Sequence, residues 1–237
     1  MNLKHYALLS VVIAGAQIPL FAAAEKVEIT DRLQNAATAM QEIMKAPDQG
    51  IPEDLLRDAR CAVVVPSLKK GAFIVGAKYG KGFLMCRDKA TQAWSAPAAI
   101  RIEGGSVGFQ IGGSETDVVM LVMNDKGEQT LLASKFTVGG EGEVAAGPVG
   151  RDATAQTDAK LTAGILSWSR SRGAFAGVSL QGATLREDKE DNKLLYGKEM
   201  TSKEVVNGKL AMPSAAQPLV RALTVTAAAG ADREQRK

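Results

Sequence analysis

The sequence predicts an α+β domain in which N-terminal helices pack on a curved, largely antiparallel, glycine-rich β-sheet, sandwich- or barrel-like in form. Apolar residues follow helical spacing up to Arg60, and short apolar runs interrupted by glycine come after it. The pattern Phe, any residue, Val or Ile, then Gly occurs at 73–76, 109–112 and 136–139. Strands that repeatedly break at glycine are typical of a strongly curved sheet.

The first 24 residues have the organisation of a secretory signal peptide. Lys4 and His5 form a polar start, residues 6–20 are apolar, and Ala22, Ala23 and Ala24 are small enough for cleavage. The apolar stretch is short for a membrane span, and the alternative is a retained anchor. We expect export to the periplasm or extracellular medium after cleavage near Ala24. A single domain over 25–230 and a polar tail over 231–237 would remain.

Composition excludes several classes of function for such an exported chain. The formal charge is +3, and removal of Lys4 would leave +2 (3 − 1), which is low for a nucleic-acid-binding protein. His5 is the only histidine, so its removal would exclude catalytic mechanisms and metal sites that need imidazole. Two cysteines alone cannot complete a zinc site. We therefore expect no enzyme, no metal and no cofactor.

Two helices are predicted ahead of the sheet. The first covers 30–45, with Thr30 as its N-cap, and the second covers 52–60, beginning at Pro52. The first helix has few bulky apolar residues and mixed charges, which favours packing on the core over the alternative of binding a membrane surface.

Short strands are predicted after Arg60. The run 61–65 ends at Pro66 and leads into a loop over 67–71, which carries Lys69 and Lys70. Further strands are expected at 72–76, 82–87 and 118–123, followed by a turn at 125–127 and a strand at 130–133. Cys61 and Cys86 both lie in strand-like runs, and they form either a disulfide or two buried thiols.

The rest of the chain predicts two more helices and a loop. The helices cover 158–167 and 214–229, and the acidic segment 187–192 is interpreted as a solvated loop.

The glycine-rich region over 147–182 contains the arginines best suited to binding anions. Arg170 and Arg172 are two residues apart, so an extended strand would place both guanidinium groups on one face. Arg151 follows Gly150 and either forms an anion-binding nest or belongs to a structural turn. Trp94 and Trp168 either anchor at an interface or pack in the core.

Several motifs together resemble the SYLF domain family. They are CAVVVPSLKKGAFIVGAKYGKGFLMCR, WSAP, GSVGFQIGGSETDVVMLVMN, AAGPVGRDATAQTDA, SWSRSRGAFAGVSLQGATL and DNKLLYG, in this order along nearly the whole predicted mature chain. The resemblance implies a non-enzymatic, lipid-binding domain whose eukaryotic members engage phosphoinositide membranes and in some cases actin. Its bacterial members are mostly exported envelope proteins.

We therefore expect a module that recognises anionic phospholipid head groups or membrane surfaces in the cell envelope. The donors expected for phosphate are Lys69, Lys70, Arg151, Arg170 and Arg172. A solvated turn is the alternative interpretation of the two lysines, and ion pairing within the fold is the alternative for Arg170 and Arg172. The alternative function is a protein-binding envelope scaffold that offers exposed sheet edges to a partner.

Overall fold

Nine strands among the described residues form one curled sheet, with helices packed against it. The structure is a computed structural model that describes residues 18–46, 50–73, 75–107, 112–138, 144–147, 164–171, 174–175, 180 and 182–224. The strands are β1 (Cys61–Phe73), β2 (Val75–Cys86), β3 (Ala98–Val107), β4 (Gly112–Val122), β5 (Lys135–Thr137), β6 (Val144–Ala146), β7 (Ile165–Ser171), β8 (Ala174–Phe175) and β9 (Thr184–Glu187). The helices are α1 (Ile18–Lys45), α2 (Glu53–Asp58), α3 (Asp125–Leu131), α4 (Lys189–Tyr196), α5 (Ser202–Asn207) and α6 (Gln217–Leu223).

The order of strands across the sheet is β5-β9-β3-β2-β1-β4-β7-β6, and β8 pairs with β7. Every described pair is antiparallel except β6 with β7. The predicted α+β class is confirmed, with helices on a curled, largely antiparallel sheet that forms a half-barrel.

Each face of the sheet carries its own apolar core. The helix-side core joins α1, α2 and α6 to one face of the central strands, through residues that include Leu33, Met40, Leu56, Phe83, Val119 and Trp168. The disulfide-side core covers the opposite face and includes Cys61, Val63, Leu84, Cys86, Val118, Phe136 and Leu185. Because both faces are covered, the central strands read as nearly continuous apolar runs.

Helix α1 is longer than its sequence pattern predicts. It begins at Ile18 and continues without a break through Ala24 to Lys45. Thr30 lies inside it and donates its hydroxyl hydrogen to the carbonyl of Lys26 (2.9 Å), so its predicted role as N-cap is wrong. The buried Ala36, Ala37 and Ala39 let α1 pack closely on the sheet and on α6.

Cys61 and Cys86 lie directly opposite each other on β1 and β2 and form a disulfide, with Cα atoms 3.9 Å apart. Of the two interpretations left by the sequence, the structure therefore has the disulfide. It fastens the open end of the β1–β2 hairpin, at the opposite end of the ladder from the turn between Phe73 and Val75.

Some predicted elements differ in type from the observed ones. Residues 125–131 form helix α3, not a turn and the start of a strand, because the Asn124 side chain caps the N–H of Gly127 (2.8 Å). Gly127 is required there, since an added Cβ would lie 2.6 Å from the carbonyl oxygen of Gly164. Residues 165–167 belong to strand β7, not to the predicted helix over 158–167, whose earlier part is outside the described residues.

The predicted closing helix over 214–229 is a 3-10 turn, Ser214–Ala216, followed by α6. Residues after Thr224, including the predicted polar tail, are outside the described residues.

Candidate functional site

Lys69 and Lys70 lie on a strand and not in a loop, which corrects the prediction for 67–71. Strand β1 continues past Pro66 to Phe73, and Lys69 and Lys70 pair with Tyr79 and Lys78 of β2. Relative to both neighbouring strands, β1 carries one extra residue at Pro66 and Ser67. This β-bulge accommodates a proline that has no N–H for the ladder, so the strand resumes after it.

The bulge fixes which face each lysine occupies. Ser67 adopts a positive φ of 56° and donates its backbone N–H to Oδ1 of Asp117 on β4 (2.9 Å). After it, Leu68 is buried in the disulfide-side core, whereas Lys69 is exposed and lines a groove beside α1. Successive residues of a strand face opposite sides, so Lys69 and Lys70 do not share one face.

The groove on the α1 side has a volume of about 360 Å³ and separates α1 from strands β1 and β2. Tyr79 is 48% exposed there, an unusual position for a large aromatic side chain. Lys69 forms no ion pair within the described part of the chain. The charged residues that line the groove are of both signs: Arg32, Lys69 and Lys81, with Glu28, Asp31 and Glu115.

Lys78 is a basic residue that the sequence did not single out. Lys78 is only 6% exposed, and it pairs with Lys70 in the register of β1 and β2. Burial, and to a smaller extent the charge of Lys70, lower the pKa of Lys78. The only sequence signal was its place near a glycine-rich hairpin, which does not reveal burial.

Arg170 forms an ion pair within the fold. Its guanidinium group contacts the carboxylate of Glu42 on α1, and in the ladder Arg170 lies opposite Asp117. Burial raises the pKa of Asp117, although the N–H of Ser67 and the charge of Arg170 oppose that shift. The ion-pairing interpretation therefore describes the observed environment of Arg170. Arg151 and Arg172 are outside the described residues.

Both tryptophans are core residues, at 7% and 4% exposure for Trp94 and Trp168. The indole N–H of Trp94 donates to the carbonyl of Leu223 (3.2 Å), and Gly147 lies so close to Trp168 that an added Cβ would overlap the indole ring. Neither side chain is placed to anchor at an interface.

The DNKLLYG motif forms helix α4 and fastens it to the sheet, which corrects the prediction of a solvated loop at 187–192. Asn192 is fully buried, accepts a hydrogen bond from the N–H of Ala99 (2.7 Å) and donates one to the carbonyl of Met200 (2.9 Å). The hydroxyl of Tyr196 donates to the carbonyl of Pro97 (2.6 Å). The helix ends at Gly197, whose φ of 77° favours glycine.

A cluster of four charged side chains closes one end of the groove. Asp191 pairs with Arg32 of α1, while Nζ of Lys81 lies 3.0 Å from Asp188 and 3.1 Å from Asp191. Burial alone would lower the pKa of Lys81, but its hydrogen bonds to Asp188 and Asp191 outweigh that effect and raise it. The cluster contains two cations and two anions, so it leaves little charge for a ligand.

Within the described part of the chain, no helix is long and apolar enough to cross a membrane. Over the same residues, His, Cys, Asp and Glu are nowhere grouped in threes or more in a way that could hold a metal ion.

The fold and its charged surfaces define an α+β module with a helix-covered curled sheet and a lysine-bearing hairpin. Residues 103–226 match the Ysc84 family, described as "Las17-binding protein actin regulator", so the chain belongs to the Ysc84 or SYLF family. The sequence-based resemblance is thereby confirmed. The family is one of actin-regulating proteins and is not a known enzyme family.

The chain is similar to fungal and mammalian proteins of this family. It is 39% identical to an SH3 domain-containing protein of Schizosaccharomyces pombe, over 73% of this chain and 40% of that protein. It is 36% identical to protein YSC84 of Saccharomyces cerevisiae, over 74% and 38%. It is 33% identical to SH3 domain-containing YSC84-like protein 1 of Rattus norvegicus, over 75% and 52%. The chain thus spans about two fifths to one half of these relatives.

These relatives contradict the predicted location. The relatives are named as YSC84 and YSC84-like proteins of yeast and mammals, and they contradict the expectation of export to the periplasm or extracellular medium after cleavage near Ala24. The expectation rested on residues 1–24, and those before Ile18 are outside the described residues. A cell-envelope setting for the function is withdrawn with it.

Proposed function

We propose that the chain is a non-enzymatic module that recognises anionic phospholipid head groups through the β1–β2 hairpin. The observation that carries the proposal is the pairing of the hairpin: Lys70 lies opposite Lys78, and Lys69 is the next residue along β1. Lys70 and Lys78 therefore share one face near the tip of the hairpin, and Lys69 projects from the opposite face beside them. Phosphate is the common anionic group of phospholipids, and lysine is a common ligand for it.

The tip of the hairpin carries apolar residue types, which suit the boundary between lipid head groups and acyl chains. The last backbone pair of the hairpin joins Phe73 and Val75, both apolar in type. Strands rise about 3.3 Å per residue, so Phe73 lies about 10 Å along the strand from Lys70. Amphipathic elements enter the head-group boundary by about 5–10 Å. A tip inserted to that depth would hold the lysines at the level of the phosphates.

The binding free energy is expected to combine electrostatic attraction by the lysines with apolar contact at the tip of the hairpin. Each basic residue near an anionic bilayer contributes about 1 kcal/mol, so Lys69 and Lys70 supply about 2 kcal/mol and the nearly buried Lys78 adds less. Burial, and to a smaller extent the charge of Lys70, lower the pKa of Lys78, and an anion close to Lys78 would offset the repulsion by Lys70. Because the attraction is electrostatic, binding decreases as salt rises.

Arg151, Arg170 and Arg172 remain secondary candidates in this proposal. For Arg170, binding to phosphate would compete with its ion pair to Glu42. Replacing Arg170 and Arg172 with Ala is therefore expected to weaken binding less than reversing the charge of Lys69 and Lys70.

Sedimentation with liposomes tests the proposal. The chain should sediment with phosphatidylserine vesicles at low salt and stay in solution with phosphatidylcholine vesicles. A Lys69→Glu/Lys70→Glu variant should lose most of this binding, whereas Lys126→Glu/Lys203→Glu, at exposed positions on α3 and α5, should retain it. Equal loss in both variants would show that only net charge matters and would refute the hairpin as the site.

A protein partner is a second candidate, supported by the description of the family as Las17-binding actin regulators. Purified actin filaments are the direct probe. Sedimentation of the chain with filaments in the absence of lipid would support this candidate, and recovery of the chain in the supernatant over a range of filament concentrations would reject it for actin.

A further inference from the structure

A second cavity, of about 610 Å³, lies away from the hairpin and takes no part in the proposed head-group recognition. It opens between the 87–96 loop, helix α3 and the segment that runs from the end of α5 to Met212. Its volume falls in the range of about 300–1,000 Å³ that is usual for small-molecule sites. None of the hairpin lysines lines it.

Half of the residues that line this cavity are apolar. The larger apolar residues of its lining are Cys86, Trp94, Val206, Leu210 and Met212. The guanidinium group of Arg87 lies over the Trp94 ring at 4.2 Å. Arg87 also donates to the carbonyls of Ala59 (3.2 Å) and Gln92 (3.0 Å), so it holds the aromatic wall in place.

The rim of the cavity has a surplus of positive charge. Its two carboxylates are engaged: Asp88 accepts hydrogen bonds from the N–H groups of Ala90 and Thr91, and Glu128 pairs with Arg60 (2.9 Å). Lys209 is exposed and forms no hydrogen bond or ion pair within the described residues; its charge acts only at longer range on Asp88. Its φ of 47° is a left-handed conformation that few residues other than glycine adopt.

We propose that this cavity binds an amphiphile with one carboxylate and one unbranched apolar chain, that is, a free fatty acid. The chain packs against Trp94, Leu210 and Met212, and the carboxylate pairs with the ammonium group of Lys209. The apolar walls select against small polar anions, and the charge of the rim selects against amphiphilic amines of the same length.

Titration calorimetry of the full chain with octanoate, decanoate and dodecanoate, each below its micelle concentration, tests the apolar part. The dissociation constant should fall about fourfold for each added methylene, which corresponds to about 0.8 kcal/mol. Dodecylamine should not bind. Equal affinities for the three acids, or equal binding of the amine, would overturn the proposal.

Two further measurements locate the ligand. Lys209→Glu should weaken dodecanoate binding at least tenfold, and Lys203→Glu, an exposed lysine on α5 that does not line the cavity, should leave it unchanged. Bromine-substituted dodecanoate should quench the fluorescence of Trp94 in the wild-type chain, and unlabelled dodecanoate should reverse the quenching. Absence of quenching, or equal loss in the two lysine variants, would overturn the site.

The test of fatty-acid binding can be distinguished from the test of vesicle binding. The Lys69→Glu/Lys70→Glu variant should still bind dodecanoate normally, because neither residue lines this cavity. If that variant loses both fatty acid and vesicle binding, the cavity is not an independent site and the inference fails.

Discussion

Arg32 of α1 and Asp191 of α4, which are 159 residues apart in the chain, form an ion pair with side chains only 12% and 8% exposed. Lys81 of β2 contacts the same carboxylate (3.1 Å). The first long helix, a central strand and the helix of the DNKLLYG motif are therefore joined at a single carboxyl group.

Replacing Asp191 with Ala should lower the free energy of unfolding by about 2 kcal/mol, because it removes the carboxylate that Arg32 and Lys81 share. Lys81 would keep Asp188, and Arg32 would keep only the exposed Glu28. Urea denaturation followed by circular dichroism measures the change. Glu190→Ala is the matched control, since Glu190 is exposed and lies next to Asp191 on α4. A loss below about 1 kcal/mol for Asp191→Ala would show that the cluster is not needed to hold α1.

The two glycines Gly82 and Gly71 should respond oppositely to substitution by Ala. A Cβ on Gly82 would overlap the carbonyl oxygen of Val64, which the β-bulge brings close, whereas a Cβ on Gly71 would meet nothing within 4 Å. We expect Gly82→Ala to destabilise by about 2 kcal/mol or more, in the range of overpacked cores. Gly71→Ala should leave stability unchanged or raise it slightly. Thermal unfolding of the two variants measures this, and equal melting temperatures would contradict the packing at the bulge.

Asp117 should make the fold less stable as the pH rises from acid to neutral. Burial raises its pKa in the folded chain, so the folded state holds this proton more strongly than the unfolded state does. Stability from this group is present at low pH and decreases above the ordinary carboxyl pKa of about 4. Asp117→Asn keeps an acceptor for the N–H of Ser67, and it should stabilise the chain at pH 7 but not at pH 3. Urea denaturation at both pH values measures the difference. If the variant is less stable than the wild type at pH 7, the predicted direction of the pH dependence is wrong.

Reduction of the disulfide between Cys61 and Cys86 should lower the free energy of unfolding by about 3 kcal/mol in the chain-entropy model. The measurement compares denaturation with and without dithiothreitol. A Cys61→Ala/Cys86→Ala variant is the control, because its stability should not respond to the reductant. If the wild type is equally insensitive under conditions that release both thiols, the disulfide does not stabilise the fold.

The sequence predicted the fold class because the two periodicities change clearly at Arg60. Helical spacing before it and short glycine-broken runs after it do not depend on long-range contacts. The errors lie where one distant contact decides the local structure. Helix α3 depends on the close approach of Gly127 to Gly164, and helix α4 depends on Asn192, whose hydrogen bonds reach Ala99 and Met200.

The candidate site was predictable in composition but not in arrangement. The sequence named Lys69 and Lys70 as donors for phosphate, but it placed them in a loop. Lys78 was missed because its burial follows from the packing of the whole sheet, and the ion pair of Arg170 with Glu42 joins residues 128 positions apart. Contacts of this length leave no local pattern in the chain.

The extra residue at Pro66 and Ser67 also decides how β1 tolerates changes in length. Because β1 carries one residue more than each neighbouring strand, removing Ser67 would give the three strands a continuous register. Every side chain after the deletion would keep its present face of the sheet. Removing any single residue between Cys61 and Val65 would instead displace apolar side chains from one core into the other. The bulge at Pro66 and Ser67 is thus the place in the strand where a deletion is absorbed, and removing Ser67 would cost its hydrogen bond to Asp117.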